Sequence, residues 1–209
     1  MNFNITTILI IANVAASFYA WNSEAVMSNW LMNPYQINRK NQYYRFLSSG
    51  FIHADYMHLF FNMFTLYSFG AYLESAYKYQ YGHQVGGIFY LALFLIGILV
   101  SDMPSYFKHK DNPNYNSLGA SGGVSAIIFA CIMLNPWLSM SIYFIPIKGI
   151  FFAVLYVWYS VWMSKKGYDN INHSAHLYGG LFGVLFMAFT YPGAFTGFIN
   201  QILNWREFM

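Results

Sequence analysis

Four polar side chains sit in apolar stretches of this chain, and their types and spacing match one kind of reaction. Ser121 lies in Gly119-Ala120-Ser121-Gly122-Gly123, where a polar stretch ending in Asn116-Ser117 gives way to an apolar run. A serine at such a helix start lies beside unsatisfied backbone N–H groups, which favour developing negative charge. His176 lies in Ala175-His176-Leu177-Tyr178-Gly179-Gly180-Leu181-Phe182-Gly183, with glycines at helical spacing along its face. Glycines let a second helix approach closely, and histidine is the usual general base for a serine nucleophile. His58 and Asn62 stand four residues apart, so both project from one helix face, where two donors can hold an oxyanion. Each signal alone also reads as packing: a small-residue face at Gly119 and Gly123, a backbone-bonded histidine, or interhelical contacts of about a kcal/mol each. Together they are the parts of an acyl-transfer site.

Those residues need elements to position them, and the composition says which. The 209 residues are 8% charged, 57% hydrophobic and 22% aromatic, whereas a soluble domain carries about a quarter charged residues. Too little polar surface remains to cover a water-soluble globule. Charge-free runs at 1–23, 56–73, 79–101, 112–147, 149–164 and 170–205 are mostly one bilayer crossing long. They are continuously apolar rather than alternating, so they predict helices and not barrel strands. The expected fold is an all-α polytopic membrane bundle in one domain, 1–209, with six transmembrane helices near 4–22, 54–74, 84–102, 119–135, 149–164 and 173–191.

Asn135-Pro136 and Pro146 cut the longest run, so 136–148 reads as a connection. The segment 23–53 mixes Trp30, Tyr35, Tyr43, Tyr44, Phe46 and Phe51 with Arg39, Lys40 and Arg45, a pattern suited to a membrane interface. Residues 102–118 read as a solvated loop, and the tail from Pro192 as a short interfacial end. A cleavable signal peptide is not expected, because the first apolar run lacks a basic start and a small-residue cleavage pattern. The ten basic residues never cluster, leaving no nucleic-acid footprint. The one cysteine, Cys131, excludes an internal disulfide and reads as a packing residue.

In these motifs the sequence resembles the rhomboid family of intramembrane serine proteases. Gly119-Ala120-Ser121-Gly122 is similar to the family's Gly-Xaa-Ser-Gly, Ala175-His176 with Gly179 and Gly183 to its Ala-His-Xaa-Xaa-Gly-Xaa-Xaa-Xaa-Gly, and His58 with Asn62 to its His-Xaa-Xaa-Xaa-Asn, in family order and over nearly the whole chain. The resemblance implies a Ser121–His176 dyad without a third carboxylate. It also implies an oxyanion site built from His58, Asn62 and backbone around Gly119 and Ser121, and no cofactor. It implies transmembrane protein substrates that unwind locally near the cut. Two departures stand out. Tyr44 precedes Arg45 where relatives often have Trp-Arg, and Ser125 stands where many relatives carry an aromatic residue against the catalytic histidine. Tyr178 or an aromatic from a neighbouring helix would have to orient His176 instead.

The family topology implies both termini in the cytoplasm, in a bacterial inner membrane. The positive-inside count opposes it: Lys78, Lys148 and Arg206 lie on the expected inner side, and Arg39, Lys40, Arg45, Lys108, Lys110, Lys165 and Lys166 on the other. Two other functions compete with proteolysis. One is a metallohydrolase using His53, His58, His173 and His176, although no His-Glu-Xaa-Xaa-His is present. The other is an inactive relative that binds membrane clients. The oligomeric state is not legible.

Overall fold

A computed structural model describes residues 4–142, 145–166 and 172–207. The chain is predominantly helical. The helix α1, Ile5–Trp21, is capped by the Asn4 side chain, which accepts from the Thr7 amide. Three short helices follow, α2 (Glu24–Trp30), α3 (Pro34–Lys40) and α4 (Arg45–Ser48), then a 3₁₀ turn at Ser49–Phe51. Ser23 and Asn33 cap the first two, so the expected interfacial segment is folded rather than loose.

The expected helices at 54–74 and 84–102 are two arms of one long element, α5, Tyr56–His109, joined across a kink at Gly82 with φ 78. Only glycine adopts that backbone without strain. The second arm runs through Pro104 to His109, so the first half of the stretch expected as a solvated loop, 102–109, is helix. Beyond it, α6 (Ser121–Leu134) matches the expected fourth helix. The connection at 136–148 contains a β-hairpin, β1 (Ser139–Ile142) and β2 (Ile145–Lys148), paired antiparallel from Ser139↔Lys148 to Ile142↔Ile145. Two helices, α7 (Gly149–Lys166) and α8 (His173–Thr190), complete the expected set; residues 167–171 of the loop expected between them lie outside the described residues. The tail after Pro192 forms a further helix, α9, Ala194–Leu203, bent 109° from α8.

By length and apolarity, one described helix, Tyr56–His109, suffices to cross a membrane, and the bent pair α8 with α9 passes as a second. Helices α1, α6 and α7 are apolar but shorter. At the centre stands α6, on which every residue from Gly122 to Met133 is buried. A helix apolar all round has no solvent face, and α5 and α8 enclose this one. The outside is apolar as well: Ile8, Ile11, Phe60, Phe64, Ile88, Val154, Trp158 and Phe189 are all exposed. A water-soluble monomer does not present apolar surface on this scale, whereas hydrocarbon accepts it.

One polar contact fastens α1 to the bundle. The buried Glu74 carboxylate accepts the backbone N–H groups of Ile5 and Thr6, each at 2.8 Å, and the Thr6 hydroxyl at 2.7 Å, and pairs with Lys78. It thus caps the positive end of α1 from another helix. Removing it orphans two amide donors and an ammonium. We expect Glu74→Ala to lower unfolding stability by about 2 kcal/mol or more, measured by thermal unfolding in detergent; Thr6→Val, which removes one of the donors, should cost less.

Candidate active site

Ser121 is the first residue of α6, so its hydroxyl stands beside the amides of an uncapped first turn. The segment before it is held from the first connection. Met32 and Ser117 exchange both backbone hydrogen bonds at 3.0 Å, and the Gly119 amide donates to the Ser49 carbonyl at 2.9 Å. Gly119 has φ +118, and a Cβ there would meet the His58 imidazole at 2.7–2.8 Å. Glycine is required twice over, for its backbone and for the ring packed against it.

His58 lies in the first turn of α5, its amide capped by Asp55 at 2.8 Å. Its Nδ1 faces the Ala54 amide at 3.5 Å, which leaves the proton on Nε2, the nitrogen turned towards Gly119. Asn62, one turn on, is buried and gives one amide hydrogen to the His58 carbonyl at 2.9 Å. The structure thus brings His58 to Gly119; Asn62 lies on the same helix face with one amide N–H turned back on its own helix.

His176 lies on α8 with Nε2 2.8 Å from Ser121 Oγ. The glycines allow this reach. A Cβ on Gly179 would run into the carbonyl of Gly122, and one on Gly183 into that of Ala126, so α8 lies directly on the backbone of α6. Asn172 starts α8, its side chain accepting from the Ala175 amide and donating to Ser105 at 2.8 Å.

The aromatic ring over His176 belongs to Tyr156 of α7. The two rings stack with centroids 6.3 Å apart and planes 21° from parallel. Ser125, at the position where an aromatic residue was missing, hydrogen-bonds the Tyr156 hydroxyl at 2.8 Å. Tyr178, the other candidate, is 43% exposed.

Besides Tyr156, sequence reasoning missed Asp102 and gave His53 a different role, as a metal ligand. Asp102, the residue that ends the charge-free run 79–101, is buried and lines a recess of about 20 Å³ with Ser101, Ser117, Gly119, Ser121 and Asn172. That volume suits about one water molecule. His53 is fully buried, its Nε2 accepting from the Ala120 amide at 3.4 Å and its Nδ1 3.0 Å from the Ser17 hydroxyl. Nε2 acting as acceptor puts the proton on Nδ1, so His53 holds the backbone next to Ser121 as a neutral ring. Among the described residues no three His, Cys, Asp or Glu side chains stand together as a metal site. The four histidines form two pairs, His53 with His58 and His173 with His176.

The model of the Rhomboid domain matches residues 40–193, which include Ser121, His176, His58, Asn62 and Gly119. The chain belongs to the rhomboid family. It is 27% identical to RHOMBOID-like protein 12, mitochondrial, of Arabidopsis thaliana over 90% of its length, covering 58% of that protein. It is 30% identical to Presenilin-associated rhomboid-like protein A, mitochondrial, of Danio rerio over 68%, covering 36%. It is also 28% identical to Rhomboid-related protein 1 of Caenorhabditis elegans over 70%, covering 40%. The rhomboid chain therefore spans between about a third and three-fifths of these relatives. Family membership makes it a membrane protein; the relatives are eukaryotic, two of them named mitochondrial, and give the expected bacterial inner membrane no support.

Burial, with His58 beside it and Asp55 opposing, pushes the His53 pKa from 6.5 down to about 3. Because the folded value lies below the unfolded one, the unfolded chain binds more protons between them. Stability is fully present above pH 6.5 and falls as the pH drops towards 3, by up to about 1.4 kcal/mol per pH unit. We expect the thermal midpoint to fall between pH 7 and pH 5, and His53→Gln to flatten that slope. An identical slope in the variant would exclude His53 as its source.

Proposed function

We propose that this rhomboid protein is an intramembrane serine endopeptidase that cuts peptide bonds in or near the transmembrane segments of other membrane proteins. The observation that carries this reading is the 2.8 Å contact between Ser121 Oγ and His176 Nε2. It joins a nucleophile at a helix start to a base on another helix, beside a recess with room for water.

In the reaction, the Ser121 oxygen attacks the scissile carbonyl carbon as its proton passes to His176 Nε2. The oxyanion that forms is held by the His58 Nε2–H, the second amide hydrogen of Asn62 and the backbone amide of Ser121. As the tetrahedral centre collapses the C–N bond breaks, and His176 gives its proton to the departing amine. Water from the recess then gives a proton to His176 and attacks the acyl ester, and the proton returns to Ser121 as the C–O bond breaks. No cofactor enters any of these steps.

The proposed membrane arrangement takes α1, the two arms of α5, α6, α7 and α8 as six crossings, which return the chain to the side it started from. With 14 residues, α6 is about 21 Å long, against a hydrocarbon core of about 30 Å. Ser121 therefore lies below the membrane surface, and water must reach it through polar surroundings. A substrate helix hides its carbonyls in internal hydrogen bonds, so glycine or proline near the cut would ease its opening.

The test is a purified full chain in vesicles with a model transmembrane substrate and a fluorophosphonate probe. Wild type should cut and become labelled; Ser121→Ala, still folded, should do neither. His58→Ala and Asn62→Ala should slow cleavage by roughly 10²- to 10³-fold. Gly179→Val should abolish labelling by forcing α8 away from the Gly122 carbonyl. Tyr156→Phe should retain most activity and Tyr156→Leu lose about tenfold, the worth of one aromatic stack. A wild type that binds the substrate but neither cuts it nor takes the probe would favour the client-binding reading. Cleavage that a chelator stops and the probe does not would favour the metallohydrolase.

A further inference from the structure

A second cavity, of about 330 Å³, lies in the first connection and shares no lining residue with the recess at Ser121. Its lining includes Arg45, whose side chain is held in place by neutral groups. Nε donates to Gln42 Oε1 at 2.6 Å, and Nη1 donates to the carbonyls of Ser28 and Leu31 at 2.8 and 2.9 Å. Among the described residues no carboxylate pairs with this guanidinium, and nothing accepts from Nη2. Arg45 is only 4% exposed. A buried cation with neutral partners alone is costly, because carbonyl dipoles replace part of its hydration and none of its counter-charge.

The rest of the lining shows what would supply that charge. Lys40, at the end of α3, lines the same cavity, as do Asn29, Gln36 and Asn116, and no Asp or Glu is among the described lining residues. Two cations among amide-bearing residues suit oxygen-rich anions, and a guanidinium fork matches two oxygens of a phosphate. The neighbouring Tyr43, Tyr44 and Leu47 are exposed, as they would be at headgroup depth.

We propose that this cavity binds a phosphate-bearing anion, with Arg45 Nη2 and Lys40 Nζ supplying the charge and the amides the remaining hydrogen bonds. The chemistry is shared by an anionic phospholipid headgroup and by free phosphate. The exposed aromatic residues beside the cavity favour the lipid.

The experiment measures the thermal midpoint of the detergent-purified full chain at constant ionic strength. It is titrated separately with dihexanoyl phosphatidylglycerol below its micellar concentration, with dihexanoyl phosphatidylcholine and with inorganic phosphate. We expect a saturable rise of a few degrees with phosphatidylglycerol, absent with phosphatidylcholine, and an apparent Kd weakened roughly three- to tenfold in Lys40→Gln. Lys40 is exposed, so that variant should fold. Arg45→Lys keeps the charge but loses the fork, and where its circular dichroism matches wild type it should lose the saturable rise as well. The same rise with inorganic phosphate alone, weakened in Lys40→Gln, assigns the site to free phosphate; a rise with the lipid only assigns it to a headgroup. No saturable rise with either anion, an equal rise with phosphatidylcholine, or a Lys40→Gln response like wild type would overturn the proposal.

Discussion

The contact between α6 and α8 is the constraint on which the rest of this structure depends. Serine and histidine side chains are short, so their 2.8 Å approach requires two helix backbones to touch. Gly179 and Gly183 lie against the carbonyls of Gly122 and Ala126, and any side chain at either position would stand between the two helices. In lipid no hydrophobic force presses helices together, so close packing of small residues has to supply the association. The same device continues where α6 meets α5: Gly97 lies against Ala126, and Gly122 against Ser101. Ser121 is thus held where α6 packs on α5 and α8, and His176 arrives on the helix whose glycines permit it.

Much of this was legible because polar and small residues stand out in an apolar chain. Ser121 and His176 could be paired from the glycines beside them, and the helix positions followed from the charge-free runs. Other features were hidden for physical reasons. Asp102, Pro104 and Lys108 made the end of α5 read as loop, yet a helix keeps its own hydrogen bonds after it leaves the apolar layer, and this one continues to His109. The hairpin at 139–148 and the helix at Ala194–Leu203 are too short for composition to identify. The first connection was recognised by its aromatic and basic residues, but not that Ser23 and Asn33 cap helices inside it.

The orientation of His176 shows most clearly where one-dimensional reading stops. Ser125 appeared as a loss, since a hydroxyl cannot stack on an imidazole. In the fold the ring comes from Tyr156, 31 residues on, and Ser125 holds it by the hydroxyl at 2.8 Å. A small side chain at position 125 is what leaves room for a tyrosine from α7 to reach His176. Seeing this needs the register of α7 against α6, which no local pattern encodes, because α7 is apolar on most faces and its aromatic residues look alike. Phe129 of α6, in ring contact with Tyr156, helps set that register through packing.

Buried polar groups separate into two kinds here, and the separation bears on function. Glu74 is saturated: two amides, a hydroxyl and an ammonium account for its carboxylate oxygens, and its work is to fasten α1. Asp102 lines open volume instead, in a recess shared with Ser121 and walled by Ser101, Ser117 and Asn172. A buried carboxyl group needs hydrogen-bonding partners, and those within reach of Asp102 are the Ser49 side chain and water in the recess. Hydrolysis of an acyl-enzyme within a membrane needs a water molecule held beside the ester until the base is ready, and a recess of about 20 Å³ has room for roughly one. Glu74 is closed off where strength is wanted, and Asp102 is left open where the proposed chemistry needs water.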